Sequence, residues 1–89
     1  MRFEWDKTKA ALNLAKHGVS FEEAATVLDD PRALPVSDDA RGESRLAVTG
    51  LSASSRLLFV VVVERTEDVI RIVSARRATK AERRRYDRQ

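Results

Sequence analysis

Arginine recurs through the apolar second half of this 89-residue chain: Arg45 opens one apolar stretch, Arg65 follows the longest, Arg71 lies inside the next, and Arg76 and Arg77 leave it. An arginine in a strand costs stability unless it is paired or solvated, and its planar fork of donors matches a phosphate bidentately. Its repetition along a sheet therefore points to phosphate binding, with ion pairing to Glu43, Glu64 or Glu67 as the structural alternative. Strand parity sets a condition. In an unbulged strand Ile70, Ile72, Ser74 and Arg76 share one face while Val69, Arg71, Val73 and Ala75 share the other, so Arg71 and Arg76 meet one ligand only if a bulge or the strand end intervenes.

The C-terminal stretch adds Lys80, Arg83, Arg84, Arg85 and Arg88, with Glu82 and Tyr86 at helical spacing i, i+4. A carboxylate and a phenol beside guanidinium groups suit proton transfer and base stacking; equally, Glu82 can close a helix cap while Tyr86 packs the helix down. His17 is the single histidine. Imidazole is the side chain best suited to proton transfer near neutral pH, but a histidine in the last turn of a helix also stabilises the exposed carbonyls there.

Charge is divided unevenly. Residues 1–70 hold nine Lys/Arg against twelve Asp/Glu, and residues 71–89 hold eight against two. The basic end reads as a footprint for phosphates or for an acidic partner, with a solvated tail as the bland alternative. The length fits one domain over 1–89. No cysteine is present, which removes disulfides, thiol catalysis and cysteine-ligated zinc, and a single His argues against a His-rich metal site. Asp29-Asp30 and Asp38-Asp39 are weak as metal sites, and no cofactor motif is recognisable. Without a stretch of ~20 apolar residues or a signal-peptide layout, a cytoplasmic location with no membrane partner is expected.

The elements that must position these residues follow from period and punctuation. Arg2–Trp5 alternates and predicts a short strand. Asp6 is an N-cap for a helix over Lys7–His17, which Gly18 stops. Ser20 and Glu23 form a capping box opening a second helix, whose stripe of Phe21, Ala24, Ala25 and Leu28 ends before Pro31. Leu34–Val36, interrupted by Pro35, can be a strand only at an edge. Arg45–Leu51, Leu57–Val63 and Val69–Ala75 predict further strands, the middle one covered on both faces. Thr79 and Glu82 form a second capping box, opening a helix to about Arg88 that is polar round most of its circumference, and so either loosely held or fixed by a ligand or partner. The expected architecture is α+β: an antiparallel sheet of three to four strands, two N-terminal helices and one basic C-terminal helix, with the helices on one side of the sheet.

Several segments together resemble a known family. Phe3-Glu4-Trp5-Asp6 with Lys9 and Asn13, then Lys16-His17-Gly18-Val19-Ser20-Phe21-Glu22-Glu23-Ala24, Gly42-Glu43-Ser44-Arg45 with Gly50, and Arg71-Ile72-Val73-Ser74-Ala75-Arg76-Arg77-Ala78-Thr79 through Glu82-Arg83 and Tyr86 are similar to the BrnT toxins of bacterial type II toxin–antitoxin systems. The resemblance covers nearly the whole chain in order. It implies a compact RelE-like fold, metal-independent cleavage of RNA that halts translation, and a hetero-oligomer with a BrnA-like antitoxin whose DNA-binding region is of the ribbon-helix-helix type. One departure concerns the acidic loop, where many relatives carry a histidine and this chain reads Ser37-Asp38-Asp39-Ala40-Arg41-Gly42-Glu43.

The chemistry expected from these residues is attack of a ribose 2′-hydroxyl on the adjacent phosphate. Arg45, Arg71 and Arg76 would stabilise the developing charge, since arginine does not act as a base at neutral pH. His17, Glu82 and Tyr86 are the proton-transfer candidates, and Arg65, Arg77, Lys80 and Arg83 the RNA-backbone contacts. The alternatives are a nucleic-acid-binding or adaptor module that grips phosphates without cleaving them, and a structural partner of an acidic protein.

Overall fold

A computed structural model describes residues 1–37 and 44–89. The chain runs β1 (Arg2–Glu4), α1 (Lys7–His17), α2 (Phe21–Thr26), a 3-10 turn (Val27–Asp29), β2 (Leu34–Ser37), β3 (Arg45–Leu51), β4 (Leu57–Glu64), β5 (Val69–Arg77) and α3 (Lys80–Asp87). The punctuation works largely as its chemistry dictates. Asp6 accepts from the Lys9 N–H at 2.9 Å, and Gly18 ends α1 at φ 69°, a left-handed position that costs glycine nothing. At α2 only half of the expected capping box forms. Ser20 accepts from the Glu23 N–H, but the Glu23 carboxylate turns to Arg56 and Ser52 instead of returning to the cap.

The strands form one five-stranded sheet in the order β1-β5-β4-β3-β2. The expectation of three or four antiparallel strands is corrected on both counts, because β1 joins as a fifth strand and lies parallel to β5, with Arg2 opposite Val69 and Glu4 opposite Arg71. A three-residue strand whose partner lies far along the chain leaves no hairpin signal to read. β2 takes the opposite edge, where Pro35 is tolerated.

One face of the sheet carries the core. Leu58, Val60 and Val62 of β4, with Val48, Ile72 and Ala75, pack against Val19 between α1 and α2, Phe21 and Ala24 of α2, and Val27 of the 3-10 turn. The Phe21 ring meets Trp5 edge-on at 6.1 Å, and burial of a side chain of this size contributes about 1.5–3 kcal/mol. Gly50 permits the close approach of the 3-10 turn, since a Cβ there would stand 2.7 Å from Val27 Cγ1. Beyond the end of β1 the edge of β5 is finished by a side chain: Asn13 accepts from the Ala75 N–H at 3.1 Å and donates to the Ala75 carbonyl at 2.8 Å.

The helices do not all lie on one side. Glu82 and Arg85 of α3 share a hollow with Leu34, Val36, Ala47, Thr49 and Phe59, residues of the sheet face opposite the core. Nor is α3 loosely held, for all its polarity. Polar bonds fix it where an apolar stripe would otherwise be needed: Arg76 binds Glu82, the Tyr86 hydroxyl donates to Asp30 at 2.6 Å, and Gln89 donates to the Arg32 carbonyl. Among the described residues no helix is long and apolar enough to cross a membrane.

Candidate functional site

The cationic residues gather on the sheet face opposite the core because β5 carries a bulge. Val61 pairs with Ser74 but Val62 pairs with Ile72, leaving Val73 as the extra residue. That insertion reverses the parity of everything after it. Arg71 pairs with Val63 and Arg76 with Phe59, and since Val63, Val61 and Phe59 alternate along β4, both arginines face the same way. Arg45 also pairs with Val63, so Arg45, Arg71 and Arg76 share one face. The rows of Val63 and Phe59 are four residues apart, roughly 13 Å at ~3.3 Å per residue.

At one end of this face Glu4 gathers two cations. Its Oε2 lies 3.6 Å from Arg71 Nη1 and its Oε1 3.9 Å from Arg65 Nε. The groups are substantially exposed, and pairs of this kind are weak tethers. The partners expected from sequence for these arginines were Glu43, Glu64 or Glu67; Glu43 and the acidic loop at 38–43 lie outside the described residues. At the other end Arg76 donates from Nη1 and Nη2 to the two Glu82 carboxylate oxygens, each at 2.9 Å, with its guanidinium 4.2 Å from the centroid of the Phe59 ring. Pairing and cation–π contact fix the plane of that guanidinium.

Glu82 is itself the capping-box residue of α3, accepting from the Thr79 N–H at 2.9 Å. Burial pushes its carboxyl toward the neutral form, but Arg76 and the Thr79 N–H outweigh that and hold its pKa below the ordinary value. Tyr86 is buried, and its hydrogen bond to Asp30, with burial adding to it, raises the phenol pKa. Burial likewise works against the Asp30 charge, yet Tyr86 and the N–H groups of Leu51 and Arg32 keep its pKa low. Both proton-transfer candidates of α3 are therefore engaged in bonds that fasten the helix, Glu82 to β5 and Tyr86 to the connection before β2.

His17 is exposed in the last turn of α1 and lines a shallow depression with Lys9, Leu12, Asn13, Lys16, Val73 and Ser74. Among the described residues no hydrogen bond or ion pair joins it to the arginines; Ser74, which lines the same depression, pairs with Val61 and so sits on the cationic face between the rows of Arg71 and Arg76. Sequence reasoning set Ser74 on the face of Arg76 without giving it a role; that Arg71 shares this face depends on the bulge.

The remaining cations lie round the end of the sheet. Arg77, whose Cα partner is Leu58, and Arg83 of α3 border a hollow of about 230 Å³ together with Arg56, Ser55, Leu57 and Ala78. Arg56 was also missed. It is held by Glu23 through Nε and Nη2, and by the Gly18 carbonyl at 3.1 Å. The Arg56 hydrogen bond is the chief reason the Glu23 pKa lies below the ordinary value. Lys80 is exposed at the start of α3. Among the described residues no cluster of His, Asp or Glu that could hold a metal ion is found.

A five-stranded α+β domain with an arginine-lined sheet face under a basic helix is the class of protein this geometry defines. The chain belongs to the BrnT family: residues 5–82 match the family model described as "Ribonuclease toxin, BrnT, of type II toxin-antitoxin system". Such a system pairs a toxin with an antitoxin, so family membership implies an antitoxin partner. The fold is similar to the 1.1 Å crystal structure of the Brucella abortus ribonuclease toxin BrnT, at a TM-score of 0.72 and 24% identity, over 90% of this chain and 99% of that one. Among curated proteins none matches the sequence.

Proposed function

We propose that this chain is a toxin that cleaves RNA without a metal ion and thereby inhibits translation in the cytoplasm. In this reading it is RelE-like in fold and neutralised by a BrnA-like antitoxin of the ribbon-helix-helix type that covers the cationic face. The observation that carries the reading is the bulge at Val73, which turns Arg71 and Arg76 to the same side as Arg45. Three guanidiniums on one sheet face can bracket a phosphodiester and stabilise the charge that develops when the 2′-hydroxyl attacks in line. The attack transfers the 2′-hydroxyl proton to a base, forms the bond from O2′ to phosphorus and breaks the bond to O5′, which takes up a proton as it leaves.

The engagement of Glu82 and Tyr86 supports positioning roles for both: Glu82 aims Arg76, and Tyr86 holds α3 over the face. His17 is then the remaining candidate for proton transfer, reached from the face by way of Ser74. Arg65, Arg77, Lys80 and Arg83 supply contacts to the RNA backbone.

The test is RNA cleavage by purified protein with Arg45→Ala, Arg71→Ala, Arg76→Ala and His17→Ala, each confirmed folded by circular dichroism. Loss of about 100-fold or more in kcat at any of the arginines is the size expected for removing a donor to the developing charge. Unchanged cleavage at all three would overturn the proposal, and RNA binding with no cleavage by the wild-type chain would favour the phosphate-gripping module.

A further inference from the structure

We infer that the hollow between Arg56, Arg77 and Arg83 is a second phosphate subsite, separate from the Arg45–Arg71–Arg76 face, and that it takes a backbone phosphate of RNA flanking the one held on that face. The inference rests on the proposed function for the identity of the ligand and on the following geometry for the site.

Three guanidiniums, from the connection before β4, the end of β5 and the first half of α3, line one concavity. Two of them, Arg77 and Arg83, donate no side-chain hydrogen bond and enter no ion pair among the described residues. The third is already fixed. Glu23 and the Gly18 carbonyl occupy Nε and Nη2 of Arg56, which leaves its Nη1 donors for a ligand. Glu23 is the carboxylate nearest this group and its charge also bears on Arg77; against three guanidiniums it leaves the concavity cationic. A single arginine held by the fold beside two whose donors remain open to a ligand is a preorganised arrangement for an oxyanion, since the ordering cost of one donor has already been met within the fold.

Size and lining identify the ligand further. Sites for small organic molecules run to roughly 300–1,000 Å³, whereas this hollow holds about 230 Å³, room for a phosphate and its waters but not for a whole nucleotide. Its other lining residues, Ser55, Leu57 and Ala78, provide no aromatic ring on which a base could stack. Charge is recognised here and base identity is not. Arg76 and Arg77 are consecutive and point to opposite faces of β5 at its end, so a single RNA strand that lies on the Arg76 side reaches this hollow by passing over the strand end.

The test follows the side-chain N–H resonances of Arg56, Arg77 and Arg83 by NMR. The probes are inorganic phosphate at constant ionic strength, and a ten-residue RNA with 2′-O-methyl groups that block cleavage. Both are expected to shift these resonances in a saturable manner. Arg83→Ala should weaken the RNA about tenfold and reduce the dependence of log K on log salt by ~0.7. Arg84→Ala, which removes the same charge outside the hollow, should do neither. Equal weakening by the two variants, or no shift with either probe, would overturn the inference in favour of diffuse attraction. Shifts with phosphate but none with the RNA would leave an anion hole unconnected to the nucleic acid and would overturn the assigned ligand. Because no readout requires turnover, a chain that binds here without cleaving refutes the proposed ribonuclease activity alone. A chain that cleaves RNA with these resonances unmoved refutes the subsite alone.

Discussion

Asn13 stands in for a missing strand at Ala75. Its side-chain oxygen accepts from the Ala75 N–H and its amide nitrogen donates to the Ala75 and Val19 carbonyls at 2.8 and 3.0 Å, so one buried residue closes the edge of β5 that β1 is too short to cover. Asn13→Ala leaves those backbone groups unsatisfied, and urea unfolding should register a loss of about 1–3 kcal/mol. Asn13→Asp should be at least as damaging, because it turns the donor toward two carbonyls into another acceptor. A stable Asp variant would mean that α1 is held to the sheet by packing alone.

The pairing of Arg76 with Glu82 is expected to separate two roles of the same arginine. Arg76→Lys keeps the charge but loses the bidentate bond and the stacking over Phe59; with the arginine a third exposed, the cost should be about 1–2 kcal/mol, below that of a fully buried pair. Glu82→Gln leaves the guanidinium in place without its aim. If Arg76 acts on substrate and Glu82 only through it, Glu82→Gln lowers kcat several-fold and Arg76→Ala by far more. Equal effects would assign the whole loss to detachment of α3, which hydrogen exchange in residues 80–87 would reveal directly.

Local chemistry made much of this legible in the sequence. Asp6, Gly18 and Thr79 mark helix ends by bonds that span three or four residues, and the seven apolar residues of β4 announce a central strand. What was not legible depends on distant pairs: β1 against β5, Glu23 diverted from its own cap to Arg56, and Tyr86 fastened to Asp30. The candidate site turned on one such feature. Parity alone would have set Arg71 and Arg76 on opposite faces, and only the register of β5 against β4 locates the extra residue at Val73.

Acid should loosen the attachments of α2 and α3 together. The pKa values of Glu23, Asp30 and Glu82 are all lowered in the fold, so the stability they contribute is present above the ordinary carboxylate value of about 4 and is lost as pH falls through their lower folded values. Tyr86 has the opposite sign: its pKa is raised, so its contribution is full below about 10 and is lost as pH climbs through the folded value. Urea midpoints measured from pH 3 to 11 should fall at both ends, with Tyr86→Phe flattening the alkaline limb and Glu23→Gln the acid one. A midpoint unaffected by pH below 4.5 would contradict the ion-paired arrangement.

Gly50 should tolerate no side chain. A Cβ would press on Val27 Cγ1 at 2.7 Å and on Ala33 Cβ at 3.2 Å, and Val27 is fully buried, so Gly50→Ala should cost about 1–3 kcal/mol by overpacking. Truncating Val27 to Ala in the same chain should recover part of that loss, a coupling that thermal unfolding of the single and double variants would measure.

Glu4 offers a test with the unusual direction of improved binding. Its carboxylate lies within 4 Å of Arg65 and Arg71 and competes with any phosphate approaching that end of the cationic face. Exposed pairs of this kind are worth ~0.2–1 kcal/mol each, so Glu4→Gln, which removes two, should tighten RNA binding about two- to thirtyfold and steepen its salt dependence, since two more cations are then released to phosphate. Fluorescence anisotropy with the cleavage-blocked RNA at several salt concentrations reads both quantities. Weaker binding in the Gln variant would mean that Glu4 positions Arg71 for the phosphate instead of competing for it, and the glutamate would then belong to the site on the same footing as the Glu82 that aims Arg76.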